Sequence, residues 1–402
     1  MQLAFLAARR RAACVAGVVL LGLPVLALGF HAYAVRDRGP VVAERGEVRG
    51  GERQDLAPGL VHVRLRGEGY ALGRQHGALL RPEIREMVRY LREELIGNPV
   101  SRDLMLLKAW QLDERSQARY RAEMRGVADG AGVAYADILL INTFDDLSHL
   151  LGCSSAVVLP EGGEPLRHAR NLDYPIPRLA RFKAIFDIDT RGIRMRTVGF
   201  PGYIGVLTGM SSRGLSLSSH TSSVRDNRLG TPSGLLYRQV LEESEDLQEM
   251  KLILSRARRT IGNNLAVADA QAGTAMAIEL DADRLDTRPP EGGRLYVTNH
   301  FQTAAMQKHQ NPRHYSPQSG SVARMSCLQR SLPPGRRLGP QDLMAAMSER
   351  GPGPAWYAPA NDGTVQSVIM EPATGRLWVA QGQTTPVTAA GYLELSGPWL
   401  AR

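Results

Sequence analysis

At Cys153 the hydrophobic pattern of this chain changes period, and that change limits the fold more than any other feature. Upstream, apolar residues recur at helical spacing: Ile84, Met87, Tyr90, Leu91 and Leu95 follow Arg81-Pro82. A second helix is predicted over about 102–125, ending at Gly126, and a third over about 135–151. Only 61–66 reads as a strand there, with Val61, Val63 and Leu65 alternating with His62, Arg64 and Arg66. From Cys153 onward strands follow one another: 153–160, a turn at Glu161-Gly162-Gly163-Glu164, a return strand to Asp173, then runs near 184–189, 194–199, 203–208 and 215–219. Two helices (about 234–243 and 245–258) precede strands near 264–269, 274–280, 294–299, 365–371 and 376–380. Grouped helices and consecutive strands predict an α+β fold with antiparallel sheets, not alternating βαβ units.

The N-terminus carries a different signal. Arg9-Arg10-Arg11 precede residues 12–35, which hold no formally charged side chain, and Arg36-Asp37-Arg38 follow. A basic cluster ahead of an apolar run reads as an export signal or a retained membrane anchor. Ala32-Tyr33-Ala34 has the small-x-small form of a signal-peptidase site. The expectation is an exported catalytic part, anchored by this segment or secreted after its removal. Residues 36–58, rich in Gly, Pro, Glu and Arg, read as a linker.

Charge and cysteine usage narrow the partners. The formal net charge is +9, but residues 1–38 supply five Arg against Asp37, and basic residues elsewhere are scattered. No basic stripe is interleaved with aromatics, so nucleic-acid binding is not expected. The three cysteines, Cys14, Cys153 and Cys327, exclude a disulfide framework and a paired-cysteine zinc site. His76, His149 and His168 share no metal-ligand spacing, and neither metal nor cofactor is expected. Cys327, in a helical stretch 325–332, reads as core.

Cys153 differs from a core cysteine in its setting. It opens a hairpin just after a helix ends, and its partner strand is charged. With the turn at Glu161–Glu164, residue 160 pairs with 165 and Cys153 lies opposite Leu172. Arg170 then shares the face of Cys153, diagonally displaced, where a guanidinium favours the thiolate. Asp173, at the strand end, reaches toward the backbone nitrogen of residue 153. Taken alone, Arg170 and Asp173 also read as a surface ion pair, Asn299-His300 as a turn after a strand, and Asn263-Asn264 as a turn or strand entry.

Gly152-Cys153-Ser154-Ser155 followed by Arg170-Asn171-Leu172-Asp173 resembles the cysteine branch of the N-terminal-nucleophile hydrolases, and within it the acyl-CoA:6-aminopenicillanate acyltransferase family. Choloylglycine hydrolases, acid ceramidase and N-acylethanolamine acid amidase look like more distant relatives. Gly69-Tyr70-Ala71-Leu72-Gly73-Arg74-Gln75-His76-Gly77 is similar to the family's opening segment, and Thr298-Asn299-His300-Phe301 to a downstream strand motif. Ser321-Val322-Ala323-Arg324 resembles a Ser-x-x-Arg element, and Gln366-Ser367-Val368 with Leu377-Trp378-Val379 the closing strands.

The resemblance implies an αββα sandwich of two antiparallel sheets and a precursor that cuts its own Gly152–Cys153 bond. It divides the chain into a signal or anchor (1–35), a linker (36–58), a mainly helical pro-segment (59–152) and a catalytic region (153–402). The freed α-amine, with a pKa of about 8, then serves as base to its own thiol. Arg170 and Asp173 match the residues that position the nucleophile, Asn299 the donor to the oxyanion, and Arg324 an arginine of the choloylglycine and ceramidase branches. Position 220 is His where some relatives carry Asn. The implied substrate is a small N-acyl amide, hydrolysed by way of an acyl-enzyme; transfer of the acyl group to an amine is the alternative. A papain-like pairing of Cys153 with His300 and Asn361, and a non-catalytic membrane-tethered binding protein, are the competing readings.

Overall fold

The computed structural model describes residues 27–41, 50–148, 152–311, 320–351 and 353–396. Fifteen strands among them form two sheets. The first runs in the order β1 (Glu52–Ala57), β2 (Leu60–Arg66), β5 (Lys183–Thr190), β6 (Ile193–Gly199), β7 (Thr208–Ser211), β8 (Leu215–Thr221), β9 (Asn263–Asp269), β10 (Thr274–Leu280), β11 (Leu285–Arg288). The second runs β12 (Arg294–Val297), β3 (Gly152–Val158), β4 (Arg167–Asp173), β13 (Thr364–Glu371), β14 (Arg376–Ala380), β15 (Tyr392–Leu395). Every neighbouring pair is antiparallel except β2 and β5, where Leu60–Arg66 runs parallel to Lys183–Asp189.

Helices cover both outer faces. Those between β2 and the β3–β4 hairpin include α1 (Gly69–Leu79), α2 (Arg81–Tyr90), α3 (Pro99–Asp113), α4 (Ala118–Ala131) and α5 (Tyr135–Ser148). With α6 (Ser233–Glu243) and α7 (Leu247–Arg256) they bury the outer face of the nine-stranded sheet, through Val61, Val63, Leu65, Leu217 and Val267 among others. After the short α8 (Ala304–Gln307), α9 (Gly320–Ser331) and α10 (Pro340–Met347) cover the six-stranded sheet, packing Leu328, Leu343 and Met347 on Ala156, Ala169 and Ile369. Between the sheets, Leu60, Ile185 and Met210 meet Val368, Met370 and Val379. The layers are therefore α, β, β, α: an α+β sandwich.

Local chemistry sets the element ends. Pro99 occupies the first turn of α3, and the Asn98 side chain accepts from the N–H groups of Val100 and Ser101. The helix predicted over 102–125 is two helices, because the chain leaves α3 after Asp113 and turns extended at Gln117 before α4. Gly126 lies inside α4 and does not end it. The expected strand 203–208 is displaced to 208–211.

The motif 69–77 folds as α1, a helix that its glycines argue against by propensity alone. Its glycines face those of α4. A Cβ on Gly73 would stand 1.9 Å from the Glu123 carbonyl oxygen, one on Gly77 2.2 Å from that of Val127, and one on Gly126 2.2 Å from that of Tyr70. Backbone touches backbone along this crossing, and only glycine leaves the room.

Most of the apolar stretch 12–35 lies outside the described residues. Its last part, 27–35, is helical and ends against α3, where Trp110 Nε1 donates to the Ala34 carbonyl at 3.0 Å. Among the described residues no helix is long and apolar enough to cross a membrane. Within 36–58, expected to be a linker, 52–57 form strand β1 and Asp37 pairs with Arg125 at 2.6 Å.

Candidate active site

The β3–β4 hairpin carries the first three residues of interest. Its register pairs Gly152 with Asp173, Cys153 with Leu172 and Ser155 with Arg170, as the turn chemistry requires: Gly162 and Gly163 take φ of 58° and 84° between the bridged Glu161 and Glu164. Cys153, Ser155, His168 and Arg170 thereby point between the two sheets. The Cys153 side chain is fully buried, and its Sγ accepts from Arg170 Nη2 at 3.3 Å. Burial pushes the Cys153 thiol up, while the Arg170 guanidinium pulls it down. Arg170 is itself without solvent exposure; its Nη2 also donates to the Ser219 carbonyl at 3.1 Å, and its Nε and Nη1 have no hydrogen-bond partner.

Asp173 ends β4 beside Gly152. Its carboxylate accepts from Thr364 Oγ1 at 2.7 Å and Asn361 Nδ2 at 2.9 Å, with Arg324 Nε at 4.0 Å. Burial raises this carboxyl, and Arg324 is the largest opposing influence. Asp173 was expected to approach the nitrogen of residue 153. That single N–H instead donates to Asn299 Oδ1 at 2.7 Å, because the loop after β12 brings Asn299 in from the other side.

Asn299 and Arg324 complete the cluster. Asn299 Oδ1 also accepts from Arg324 Nη2 at 2.6 Å, and its Nδ2 donates to the Thr221 carbonyl at 2.9 Å. Arg324, on α9, donates through Nε to Ser154 Oγ at 3.0 Å and through Nη1 to the Trp356 carbonyl at 2.9 Å. The hairpin, the loop after β12 and α9 thus bring Cys153, Arg170, Asp173, Asn299 and Arg324 together around one peptide bond, Gly152–Cys153.

The papain-like partners are engaged elsewhere. His300 Nδ1 meets Ser321 Oγ at 2.8 Å and Thr298 Oγ1 at 3.1 Å, and burial, aided by Arg288 and Arg324, lowers it to about 4. Asn361 serves Asp173 and the Ala358 carbonyl. Cys327 is buried on α9. No group of three or more His, Cys, Asp or Glu among the described residues is placed to hold a metal ion.

Several contacts escaped the sequence reading, although it singled out Asn361 and His220 for other reasons. Thr364 and Asn361 hold Asp173, and the only trace of this was the turn-forming run Asn361-Asp362-Gly363-Thr364. His220 links Ser155 Oγ (2.7 Å) to the Asn264 carbonyl (2.9 Å), and burial with Arg170 nearby depresses it well below the usual imidazole range. The Ser216-x-Ser218-x-His220 alternation on β8 was the available signal for a polar face turned inward. An apolar cleft also opens beside the hairpin, walled by Leu91, Leu95, Phe144, Phe200 and Tyr203, with Tyr174, the residue after Asp173, and Asp145 among its lining.

The family model described as acyl-coenzyme A:6-aminopenicillanic acid acyl-transferase matches residues 161–386. That stretch contains Arg170, Asp173, Asn299 and Arg324, and Cys153 lies just ahead of it. An uncharacterized protein of Archaeoglobus fulgidus is 26% identical over 59% of this chain and 47% of its own length. Acid ceramidase of Rattus norvegicus is 28% identical over 44% of this chain and 51% of its own. The N-acylethanolamine-hydrolyzing acid amidase of Oryctolagus cuniculus is 31% identical over 33% and 38%. The chain spans about half the length of the first two. Among solved structures, the Caenorhabditis elegans N-acylethanolamine-hydrolyzing acid amidase ortholog aligns with a TM-score of 0.43 at 20% identity, over 55% of this chain and 93% of that one. Penicillin V acylase from Agrobacterium tumefaciens aligns with 0.38 at 14%, over 58% and 84%. With more than half of its residues under one family model, including four of the five that surround the Gly152–Cys153 bond, this chain belongs to the acyl-coenzyme A:6-aminopenicillanic acid acyl-transferase family.

Proposed function

We propose that the chain is a precursor that cuts its own Gly152–Cys153 bond and then works as a cysteine amidohydrolase on linear N-acyl amides. One observation carries the reading: the amide nitrogen of that bond is held by Asn299 at 2.7 Å while the thiol of the same residue lies 3.3 Å from a buried guanidinium. In the first step Sγ attacks the Gly152 carbonyl carbon, the thiol proton ends on the nitrogen, and the C–N bond gives way to a thioester. Water hydrolyses the thioester, leaving Gly152 as a carboxylate and Cys153 with a free α-amine.

The mature site then holds nucleophile and base on one residue. The α-amine takes the thiol proton, Sγ attacks the substrate carbonyl, and the amine returns the proton to the leaving nitrogen. Arg170 favours the thiolate, and Asp173, fixed by Thr364 and Asn361, faces the new amine and keeps it oriented. Asn299 donates to the developing oxyanion, and Arg324 keeps Asn299 in place. An amide nitrogen cannot act as a base, so the uncut chain is inactive. The cleft beside Tyr174 suits an apolar acyl group, in line with the acid ceramidase and acid amidase named among its relatives.

Intact mass and denaturing electrophoresis, wild type beside Cys153→Ala, test the proposal. A fragment 153–402 with Cys at its N-terminus, absent from the variant, is the expected result, followed by Cys153-dependent release of amine from N-acyl amides. A wild type that stays whole refutes it.

A further inference from the structure

Asn264 stands near the start of β9, and its side chain reaches across to the loop that carries Asn299. Its Nδ2 donates to the Thr298 carbonyl at 2.9 Å and to the His300 carbonyl at 2.8 Å. Those are the carbonyls immediately before and after Asn299. An amide nitrogen carries two hydrogens, and here both fasten the peptide groups that flank one residue. The Asn264 Oδ1 is meanwhile buried with no partner. An unmet acceptor is a standing penalty at a buried site, and the two bonds to the loop are what the side chain gains in return.

The main chain of Asn264 makes a second connection. Its carbonyl can only accept, so His220 Nδ1 carries the proton in their 2.9 Å bond. The buried imidazole is neutral, which leaves Nε2 to accept from the Ser155 hydroxyl at 2.7 Å. Ser155 Oγ then accepts from Ser218 at 2.9 Å, Ser218 Oγ from His168 Nε2 at 2.8 Å, and His168 Nδ1 from Ser216 at 3.0 Å. A single carbonyl thus sets the direction of five consecutive hydrogen bonds between the sheets. Ser155 lies on β3, two residues from Cys153 and on the same face. Through its carbonyl Asn264 is tied to the strand of Cys153, and through its amide to the loop of Asn299.

We infer that Asn264 is a positioning residue that holds Asn299 in register with Cys153. The inference rests on the roles proposed above for those two residues. An aspartate at 264 has no N–H to give and turns a charge toward two carbonyls; a serine keeps one donor. Misplacing a reacting group by about 1 Å costs on the order of 100-fold in rate, so Asn264→Asp is expected to lose about that factor and Asn264→Ser a smaller one.

The test compares wild type, Asn264→Ser and Asn264→Asp in full-length protein, with mature sites counted by N-terminal thiol alkylation. The expected result is a fall in kcat per alkylated site of at least about tenfold for Asn264→Ser, with KM within about twofold. A variant that folds, by circular dichroism, but cuts too slowly to mature is read by its rate of cutting, since Asn299 also holds the amide being cut; the same fall is expected. A residue of structural importance alone lowers the melting temperature and the number of sites while leaving kcat per site and the cutting rate unchanged, and that result overturns the inference. If the wild type neither cuts nor turns over an amide, the proposed function falls and takes this inference with it. A wild type that does both beside variants that match it removes the inference alone.

Discussion

Replacing His168 by Gln isolates what one buried imidazole does to stability. His168 has no exposed surface, and burial, with Arg170 nearby, lowers its pKa from 6.5 to about 3. The folded protein therefore keeps it neutral throughout the mildly acidic range, whereas the unfolded chain takes up a proton below pH 6.5. Stability linked to this group is complete above pH 6.5 and is lost as the pH falls toward about 3. At pH 5.0 the unfolded state has gained about 1.5 pH units of proton affinity that the folded state has not yet shared. At 1.36 kcal/mol per unit, that is about 2 kcal/mol lost relative to pH 7.5. Gln keeps an N–H for Ser218 and cannot titrate. Chemical denaturation of Cys153→Ala with and without His168→Gln, at both pH values, is expected to show the difference between the two proteins moving by about 2 kcal/mol in favour of the Gln variant at pH 5.0. Every other titrating group is common to both and cancels. A difference that stays constant between the two pH values, or a His168 imidazole resonance titrating above pH 5, refutes the account of a neutral, directionally bonded histidine.

Other outcomes follow from the same structure. Substituting Asn299 by Ala removes the proposed oxyanion donor and is expected to lower kcat by about 10²–10³-fold, or about 2.7–4 kcal/mol, with KM little changed; a variant of unaltered kcat refutes the role. Gly73→Ala forces α1 from α4, since its Cβ would lie 1.9 Å from a backbone oxygen, and should cost about 3 kcal/mol or more in denaturant titrations. A loss under about 1 kcal/mol, or the gain of about 1 kcal/mol that Gly-to-Ala ordinarily brings inside a helix, shows the crossing to be compliant. Asp145, buried beside Tyr174 and Tyr203, is raised to about 6. A raised carboxyl weakens the folded state as pH rises, so Asp145→Asn should gain on wild type by about 2–3 kcal/mol between pH 4 and pH 7.5. A pH-independent offset contradicts this.

The parts of this molecule that could be read from its sequence are those in which local chemistry determines geometry. Two glycines between two glutamates dictate a tight hairpin, and the tight hairpin dictates which residue faces Cys153, so the approach of Arg170 is legible in the sequence. The grouping of helices and of consecutive strands was legible in the same way, from changes of period, whereas the layering of helices outside two sheets came from the family resemblance. Long-range packing was not. The helix over 69–79 was hidden because its glycines lower helix propensity, and the reason for them lies more than forty residues away in α4. Asn264 reads as a strand entry because its neighbours are polar, and nothing nearby marks the carbonyls of residues 298 and 300 as its targets. The approach of Asn299 to the Cys153 nitrogen, in place of Asp173, likewise depends on a loop whose path is set by Ser321 and Asn264.

The parallel pair β2–β5 joins residues on opposite sides of the Gly152–Cys153 bond. In the intact chain, β2 finds β5 within one molecule, at a concentration fixed by the intervening polypeptide and indifferent to dilution. The cut proposed above breaks no β2–β5 hydrogen bond but removes the tether. Reassembly after unfolding is then an encounter between two separate polypeptides, second order in concentration, and a dilute solution disfavours it. Maturation by the proposed cut is a ratchet: the active form is then reached by folding only through the uncut chain. The durability of the cut form is then a matter of how slowly it opens, since an opened copy has no efficient way back.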